Sequence, residues 1–281
     1  LTRAQAYLSH PSIAAEAVVR VLNPLSQDLG VMRPSLMLGG LDAVSYNTKR
    51  QNSDVALFEF GRTYHQGDKG LEERNALGIW LAGAYPGAHW MTGDAKVNFF
   101  ALKGLLNGLF QRFGLSTEEQ PCPHEPGEFA GGVLYKLNGQ PIATLGWVDD
   151  WALKQADLKQ GILAARLDWD RFIKAAAKVK ITYTEPSKFP KVTRDMAFVV
   201  NAELPYAELH TCLAQVKERA LVKMELFDVY QGKNLPEGHL SYGMRFTFLD
   251  PKKTLQDDYV DAAMSKLQSA AENGCQAKLR D

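Results

Sequence analysis

Residues 224–255, "MELFDVYQGKNLPEGHLSYGMRFTFLDPKKTL", are patterned more tightly than any other stretch of the chain. Between residues 240 and 249, Leu240, Tyr242, Met244, Phe246 and Phe248 alternate with Ser241, Gly243, Arg245 and Thr247. Successive side chains of a strand point to opposite faces, so one face is apolar core and the other is polar. The preceding run, 222–230, also reads as a strand, and the segment 231–239 between them holds Gly232, Pro236 and Gly238, a turn composition. The stretch has no nucleophile beside a base, no metal-ligand spacing and no glycine cradle for phosphate. It reads as a surface to be presented.

Working outward, 192–200 is a further strand, and 205–220 is a helix with Pro205 in its first turn. A second helix is expected over 254–274. Thr254 stands at capping-box spacing from Asp257, Asp257 and Asp258 suit the positive end of the dipole, and Gly274 suits a C-cap. Residues 275–280 can form a short last strand. The order is βαββαβ, the ferredoxin-like split arrangement, whose helices cover one sheet face and leave the other open. In the runs 192–200 and 222–230 apolar residues fall on both faces, as with Met224 and Leu226 against Phe227 and Val229, so periodicity leaves their facing open.

The two prolines and polar cluster of 182–191 mark a boundary near Pro186, giving domains 1–186 and 187–281. Upstream, 54–65, 74–83, 130–148 and 161–170 are strand candidates, the third a hairpin turning at Asn138-Gly139. Stretches 97–113 and 169–180 read as helices. Strands and helices follow no βαβ rhythm there, which predicts an α+β domain on an antiparallel sheet.

At 281 residues, 46% hydrophobic and 23% charged, the chain has the make-up of two globular domains. It starts at Leu1 and reads as a piece of a longer polypeptide. No apolar run approaches the ~20 residues of a membrane span. Three cysteines, Cys122, Cys212 and Cys275, match no redox or metal spacing, so they are expected to be reduced and the chain cytoplasmic. Lys plus Arg and Asp plus Glu are both 32, and from Lys188 onward each sign counts 13, so there is no global pull on a polyanion. The motifs of P-loop, dinucleotide, serine-hydrolase and zinc-protease sites are missing. Six histidines are scattered, and His124, Glu125 and Glu128 in "PCPHEPGEF" read as an ordered loop before they read as acid-base machinery. No metal site and no catalytic residue is expected.

Two enzyme or binding families share the strand order of the second domain. Acylphosphatases grip phosphate with an arginine after their first strand, and here that loop, 201–206, has none and carries Glu203. The RNA-recognition motif is echoed only faintly by "YGMRFTF". A specific match lies elsewhere. "KFPKVTRDMAFVV", the opening stretch and the closing "AKLR" resemble the ferredoxin-fold anticodon-binding domain of the bacterial phenylalanyl-tRNA synthetase β-subunit family. Residues 20–64 and 137–148 resemble the class II synthetase-like module that precedes that domain in the same subunit.

The resemblance implies binding of tRNA(Phe) at the anticodon stem-loop, an α-subunit partner in an αβ heterotetramer, and a part in ATP- and magnesium-dependent aminoacylation. This fragment itself is expected to hold no cofactor, and neither DNA nor a membrane is an expected partner. Class II synthetases hold ATP with an arginine and a glutamate on a strand motif, and 57–67 places His65 and Gly67 there, with Arg62 one step off on the opposite face. The module therefore reads as catalytically silent. For the RNA contact, the open sheet face and its loops offer Lys191, Arg194, Tyr230, Lys233 and Arg245. Apolar residues cover more than half the circumference of helix 97–113, enough for core packing and for a subunit interface. The competing reading is a structural or regulatory two-domain ligand-binding module with no RNA role.

Overall fold

The computed structural model describes residues 2–24, 26, 29–67, 70–84, 96–180, 182–183 and 185–280. The chain divides into two compact units, 1–182 and 183–281. The expected boundary at Pro186 falls in the strand-free lead into the second unit.

The first unit is built on a six-stranded sheet of order β1-β2-β6-β5-β4-β3 in which every pairing is antiparallel. Its elements are α1 (Ala4–Leu8), α2 (Met37–Thr48), β1 (Val55–Gly67), β2 (Gly70–Ala82), α3 (Phe99–Arg112), β3 (Glu118–Cys122), β4 (Phe129–Leu137), β5 (Gln140–Val148), α4 (Asp150–Gln155), β6 (Leu163–Asp168) and α5 (Trp169–Ala176). Asn138 and Gly139 both take positive φ, 51° and 74°, and close the expected hairpin between β4 and β5.

The sheet has two covered faces. On one, Leu77, Leu145, Leu163 and Leu167 meet Leu102, Leu106 and Phe110 of α3 and Phe172 of α5. On the other, Trp80, Ala82, Val148 and Ala164 meet Leu38, Leu41 and Val44 of α2. The sequence pattern missed α2, whose two glycines and weak apolar bias blur the helical period, and β3, short and polar with Pro121 at the sheet edge. Helix α3 buries Leu102, Leu106 and Phe110 but leaves Phe100 76% exposed and Leu105 43%.

The second unit has β7 (Val192–Asn201), α6 (Tyr206–Ala214), β8 (Leu221–Tyr230), β9 (His239–Phe248), α7 (Asp257–Cys275) and β10 (Lys278–Leu279), in the sheet order β10-β7-β9-β8. This is the expected βαββαβ arrangement. Central strand β9 buries Tyr242, Met244, Phe246 and Phe248 against Leu209 and Leu213 of α6 and Val260 and Leu267 of α7. Two register shifts in β8, at Leu221/Lys223 and Leu226/Asp228, explain why its period was ambiguous. Leu221, Met224 and Leu226 all reach the core, whereas Phe227 is left 53% exposed.

Three expected helix signals fall differently. Pro205 is the N-cap of α6 and lies outside its first turn, and the helix stops at Ala214. Gln256, with no side-chain cap bond, precedes α7 in place of the Thr254 capping box. Gln276, at φ 53°, is the left-handed C-cap, and Gly274 lies inside the helix. A Cβ on Gly274 would stand 2.2 Å from Cys212 Sγ, so that glycine serves the α6–α7 approach. The same approach brings Cys275 to Cys212, distant in sequence. Burial first and then the Cys212 thiol push the Cys275 thiol up to about 11.

Adjacent glycines in α2 test the packing. A Cβ on Gly40 would lie 2.1 Å from the Trp80 ring, while nothing stands within 4 Å of one on Gly39. Gly39→Ala should gain roughly 0.5–1 kcal/mol from helix propensity. Gly40→Ala should lose about 1–3 kcal/mol by overpacking. Chemical denaturation of the two variants measures the opposite signs.

Candidate nucleic-acid interface and the cleft of the first unit

The open face of the second unit is laid out by cross-strand pairing. Asp195, Arg245 and Glu225 stand in one row, Ala197, Gly243 and Asp228 in the next, and Val199, Ser241 and Tyr230 in a third. Small residues at the centre keep the surface flat. Arg245 donates from Nε and Nη2 to the two oxygens of Asp195, at 2.8 and 2.7 Å, and its guanidinium lies 5.0 Å over the Phe227 ring. The hydrogen bond from Arg245 holds the Asp195 carboxyl below its usual value, so the pair is ionised at neutral pH. Arg280, following β10, lies 4.6 Å over the Tyr230 ring. Two cation–aromatic pairs therefore share the face.

Of the sequence candidates, Arg245 and Tyr230 are on this face and Lys191 and Lys233 are exposed beside it. Arg194 requires a correction. It alternates with Val192 and Met196 on the helix-covered side, with Nη2 2.6 Å from Asp257 and Nε 3.7 Å from Asp261. Two acids of α7, Asp257 and Asp261, are thus the partners of Arg194. The candidates do not form one cluster, because Lys191 precedes the Val192 end of β7, whereas Tyr230 closes the far end of β8 and Lys233 follows it. Sequence reading passed over Phe227 and Arg280. The bulge that turns Phe227 outward has no signature in the alternation, and Arg280 reaches Tyr230 only through the placement of β10.

In the first unit a cleft of about 650 Å3 lies over the sheet face that carries Thr63, His65, Arg74, Thr144 and Arg166. Arg62 is on the reverse face, paired with Glu73 at 2.6 Å. His65 is half-buried, and burial, then the Arg74 charge, lower its pKa, so it is neutral at pH 7. Arg74 is held by Glu72 at 2.6 Å, and Arg171 by Asp168 at 3.1 Å. Arg166 donates to Glu128 at 3.1 Å and to Glu125 at 3.0 Å. Burial works against its charge, yet Glu128 and Glu125 raise its pKa above the ordinary arginine value. Every arginine lining the cleft among the described residues is committed to a carboxylate. Trp80 fills the floor, since a Cβ on Gly40 or on Gly78 would run into its ring. The residues present therefore do not fit a nucleoside triphosphate, which needs uncommitted cations.

The loop "PCPHEPGEF" is held in place by hydrogen bonds. His124 Nε2 lies 2.5 Å from Asp149 Oδ2, and Asp149 Oδ1 accepts from the N–H of Gly127 and Trp151, tying the loop to the start of α4. Burial alone would raise the Asp149 carboxyl, but His124 and the two N–H groups bring it below its usual value. His89 lies outside the described residues.

Comparison with known proteins follows this division. The model described as phenylalanyl tRNA synthetase beta chain CLM domain matches residues 3–169, and that of the ferredoxin-fold anticodon binding domain matches 187–280. The phenylalanine–tRNA ligase beta subunit of Bacteroides fragilis is 35% identical over 291 residues, covering 100% of this chain and 36% of the relative. That of Dechloromonas aromatica is 35% identical over 276 residues, covering 96% and 34%. The chain thus spans about a third of the length of the curated relatives it matches. A solved pyrrolysyl-tRNA synthetase from Desulfitobacterium hafniense aligns over 62% of this chain and 59% of its own, at 13% identity and a TM-score of 0.45, too slight a likeness to carry weight.

The Arg166 cluster gives a pH-dependent prediction. Arg166→Met leaves Glu128, 4% exposed, without its cation and should cost on the order of 2–3 kcal/mol at pH 7, discounted for the partly exposed guanidinium. Burial raises the Glu128 pKa in the folded state, against the pull of Arg166, and removing Arg166 raises it further. A group raised on folding stabilises below its unfolded value and loses that contribution as pH rises. The deficit of the variant should therefore be small at acidic pH, grow once the pH passes the raised value that Glu128 already has beside Arg166, and shrink again when Glu128→Gln is added. Denaturation midpoints across pH measure it.

Proposed function

The chain belongs to the phenylalanyl-tRNA synthetase β-chain family, and from that premise we propose that it is the part of a β subunit that supports catalysis without performing it and holds tRNA(Phe). The second unit takes the anticodon stem-loop on its open sheet face. The observation that carries this reading is the flat polar face itself, with Arg245 over Phe227 and Arg280 over Tyr230. RNA loops splay their bases onto aromatic rings and guanidinium planes, and this face offers both beside exposed Lys191 and Lys233.

The first unit, in this reading, is a silent copy of a class II synthetase core over residues 1–186, the second spanning 187–281. Its cleft arginines are bound to Glu72, Glu125, Glu128 and Asp168, which leaves nothing to steady the charge of an activated phosphate. ATP and magnesium belong to the α subunit of the whole enzyme. That subunit docks on the first unit in an αβ heterotetramer, for which exposed Phe58 and Phe60, stacked edge-to-face with each other and with Trp169, and exposed Phe100 and Leu105 offer apolar surface. No helix among the described residues is long and apolar enough to cross a membrane. We place the enzyme in the cytoplasm, where its tRNA substrate is used.

Two measurements test the reading. The chain alone, free of host synthetase, should show no phenylalanine-dependent ATP–pyrophosphate exchange above a blank, and exchange above it would refute the silent module. In filter binding the chain should retain tRNA(Phe). Phe227→Ala and Tyr230→Ala should each cost roughly 1–3 kcal/mol of affinity if a base stacks there, and Arg245→Ala about 1–2 kcal/mol. Unchanged affinity in all three variants, with the fold intact by circular dichroism, would remove the open face as the RNA surface.

A further inference from the structure

The two arginines that sequence reading favoured for RNA are neutralised within the second unit, Arg194 by Asp257 and Arg245 by Asp195. Arg245 can stack on a base while so paired, but it adds little net charge to attract a backbone. Of the eight cations of the unit left without a carboxylate within ion-pair distance, among the described residues, Lys233, Lys278 and Arg280 lie apart, while the other five collect elsewhere. They are placed by the sheet register. Leu221, which opens β8, and Val192, which opens β7, are both paired with Phe248 at the close of β9. Three connections therefore emerge at one end of the sheet: the lead into β7, the α6–β8 loop and the β9–α7 loop. A hydrogen bond from Leu249 N–H to the Ala220 carbonyl, 2.8 Å, joins the last two directly.

These connections bring Lys191, Lys217, Arg219, Lys252 and Lys253, all exposed. Lys223, paired with Glu225 at 2.6 Å, adjoins them. Lys217, Arg219 and Lys223 line a groove of about 490 Å3 at the opening of β8. The acids of this end are engaged. Glu218, with its side chain 6% exposed, is held by the Tyr259 hydroxyl and lies 3.5 Å from Lys266. Asp250 accepts from the Lys252 N–H, and Asp257 and Asp261 face Arg194. Asp258 is the one acid there without a partner among the described residues. A unit whose basic and acidic residues balance overall thus presents a local excess of positive charge at one sheet end.

We propose that this end of the sheet, centred on Lys217, Arg219, Lys252 and Lys253, is the phosphate-binding edge that docks an RNA backbone, while the open face meets bases. The proposal rests on the tRNA-binding reading above and names the surface it uses. Ammonium groups and the Arg219 guanidinium, both phosphate binders, are spread over separate loops and suit the repeated charges of a phosphodiester chain. The edge adjoins the open face through Thr247 and Lys223, so one RNA loop can engage both.

The test is a salt titration of phenylalanine tRNA binding to the full 281-residue chain. The quadruple variant Lys217→Gln, Arg219→Gln, Lys252→Gln, Lys253→Gln is compared with a control of equal charge change on the first unit, Lys49→Gln, Arg62→Gln, Lys103→Gln, Lys154→Gln. Seven of the eight residues are exposed and Lys103 is partly buried, and circular dichroism checks the fold. The edge variant should bind tenfold or more weakly at about 0.1 M salt and flatten the log affinity against log salt slope by roughly 3, as expected for about four lost phosphate contacts. The control should keep the slope. Equal loss in both variants, or an unchanged slope in the edge variant, overturns the assignment. So does an edge variant that keeps its RNA affinity but no longer co-elutes with the α subunit, which would make this end a protein interface. If the unsubstituted chain does not bind tRNA, the RNA reading itself fails, and the edge assignment with it.

Discussion

The handedness of the β-crossover is the constraint on which the second unit depends. A strand that returns parallel to its predecessor through a helix does so almost always in the right-handed sense. Here β7 reaches β8 through α6 in one direction across the sheet, and β9 reaches β10 through α7 in the other, along strands that run oppositely. The two reversals cancel, so both helices cover the same face, as the shared core of Leu209, Leu213, Val260 and Leu267 records. One side of the sheet becomes a solid apolar layer, and the other is left with Ala197, Ser241 and Gly243 at its centre and charged pairs around them. A flat, half-polar surface is what the topology leaves over, and it is the surface proposed above for RNA.

The first unit reaches a different outcome from a similar economy of elements. Both faces of its six-stranded sheet are packed, and over part of one lies the cleft lined by Arg74, Arg166 and Arg171. The chemistry has been closed off by pairing. Glu72, Glu125, Glu128 and Asp168 each hold an arginine that a phosphate could otherwise claim, and a tryptophan seated between two glycines fills the floor. The ion pairs that stabilise the sheet leave no uncommitted arginine in the cleft among the described residues.

Much of this was legible in the residues. The alternation of β9 announced its buried face, and Asn138-Gly139 announced a hairpin. What stayed hidden depended on contacts between distant segments. The facing of β8 could not be read because two bulges break its period, and the side occupied by Arg194 became clear only from the register of β7 on β9. Gly274 was assigned to a helix end on a sound local rule, but a sulfur atom 62 residues earlier in the chain decided its position. Lys217 and Lys252 carry no local signal at all, and only the pairing of Leu221 with Phe248 makes them neighbours.

The bulges of β8 also bear on how the unit behaves in a crowded solution. An outer strand with a continuous row of free amide and carbonyl groups invites a second chain to add itself, the first step toward aggregates. β8 is such an outer strand and exposes Val222, Phe227 and Val229, a composition that favours strand addition. Each bulge interrupts the ladder and increases the local twist, so an incoming straight strand loses its register within a few residues. At the opposite margin β10 is two residues long, too short to serve as a template. The irregularity that turns Phe227 outward thus also protects the domain against polymerising through its own edges.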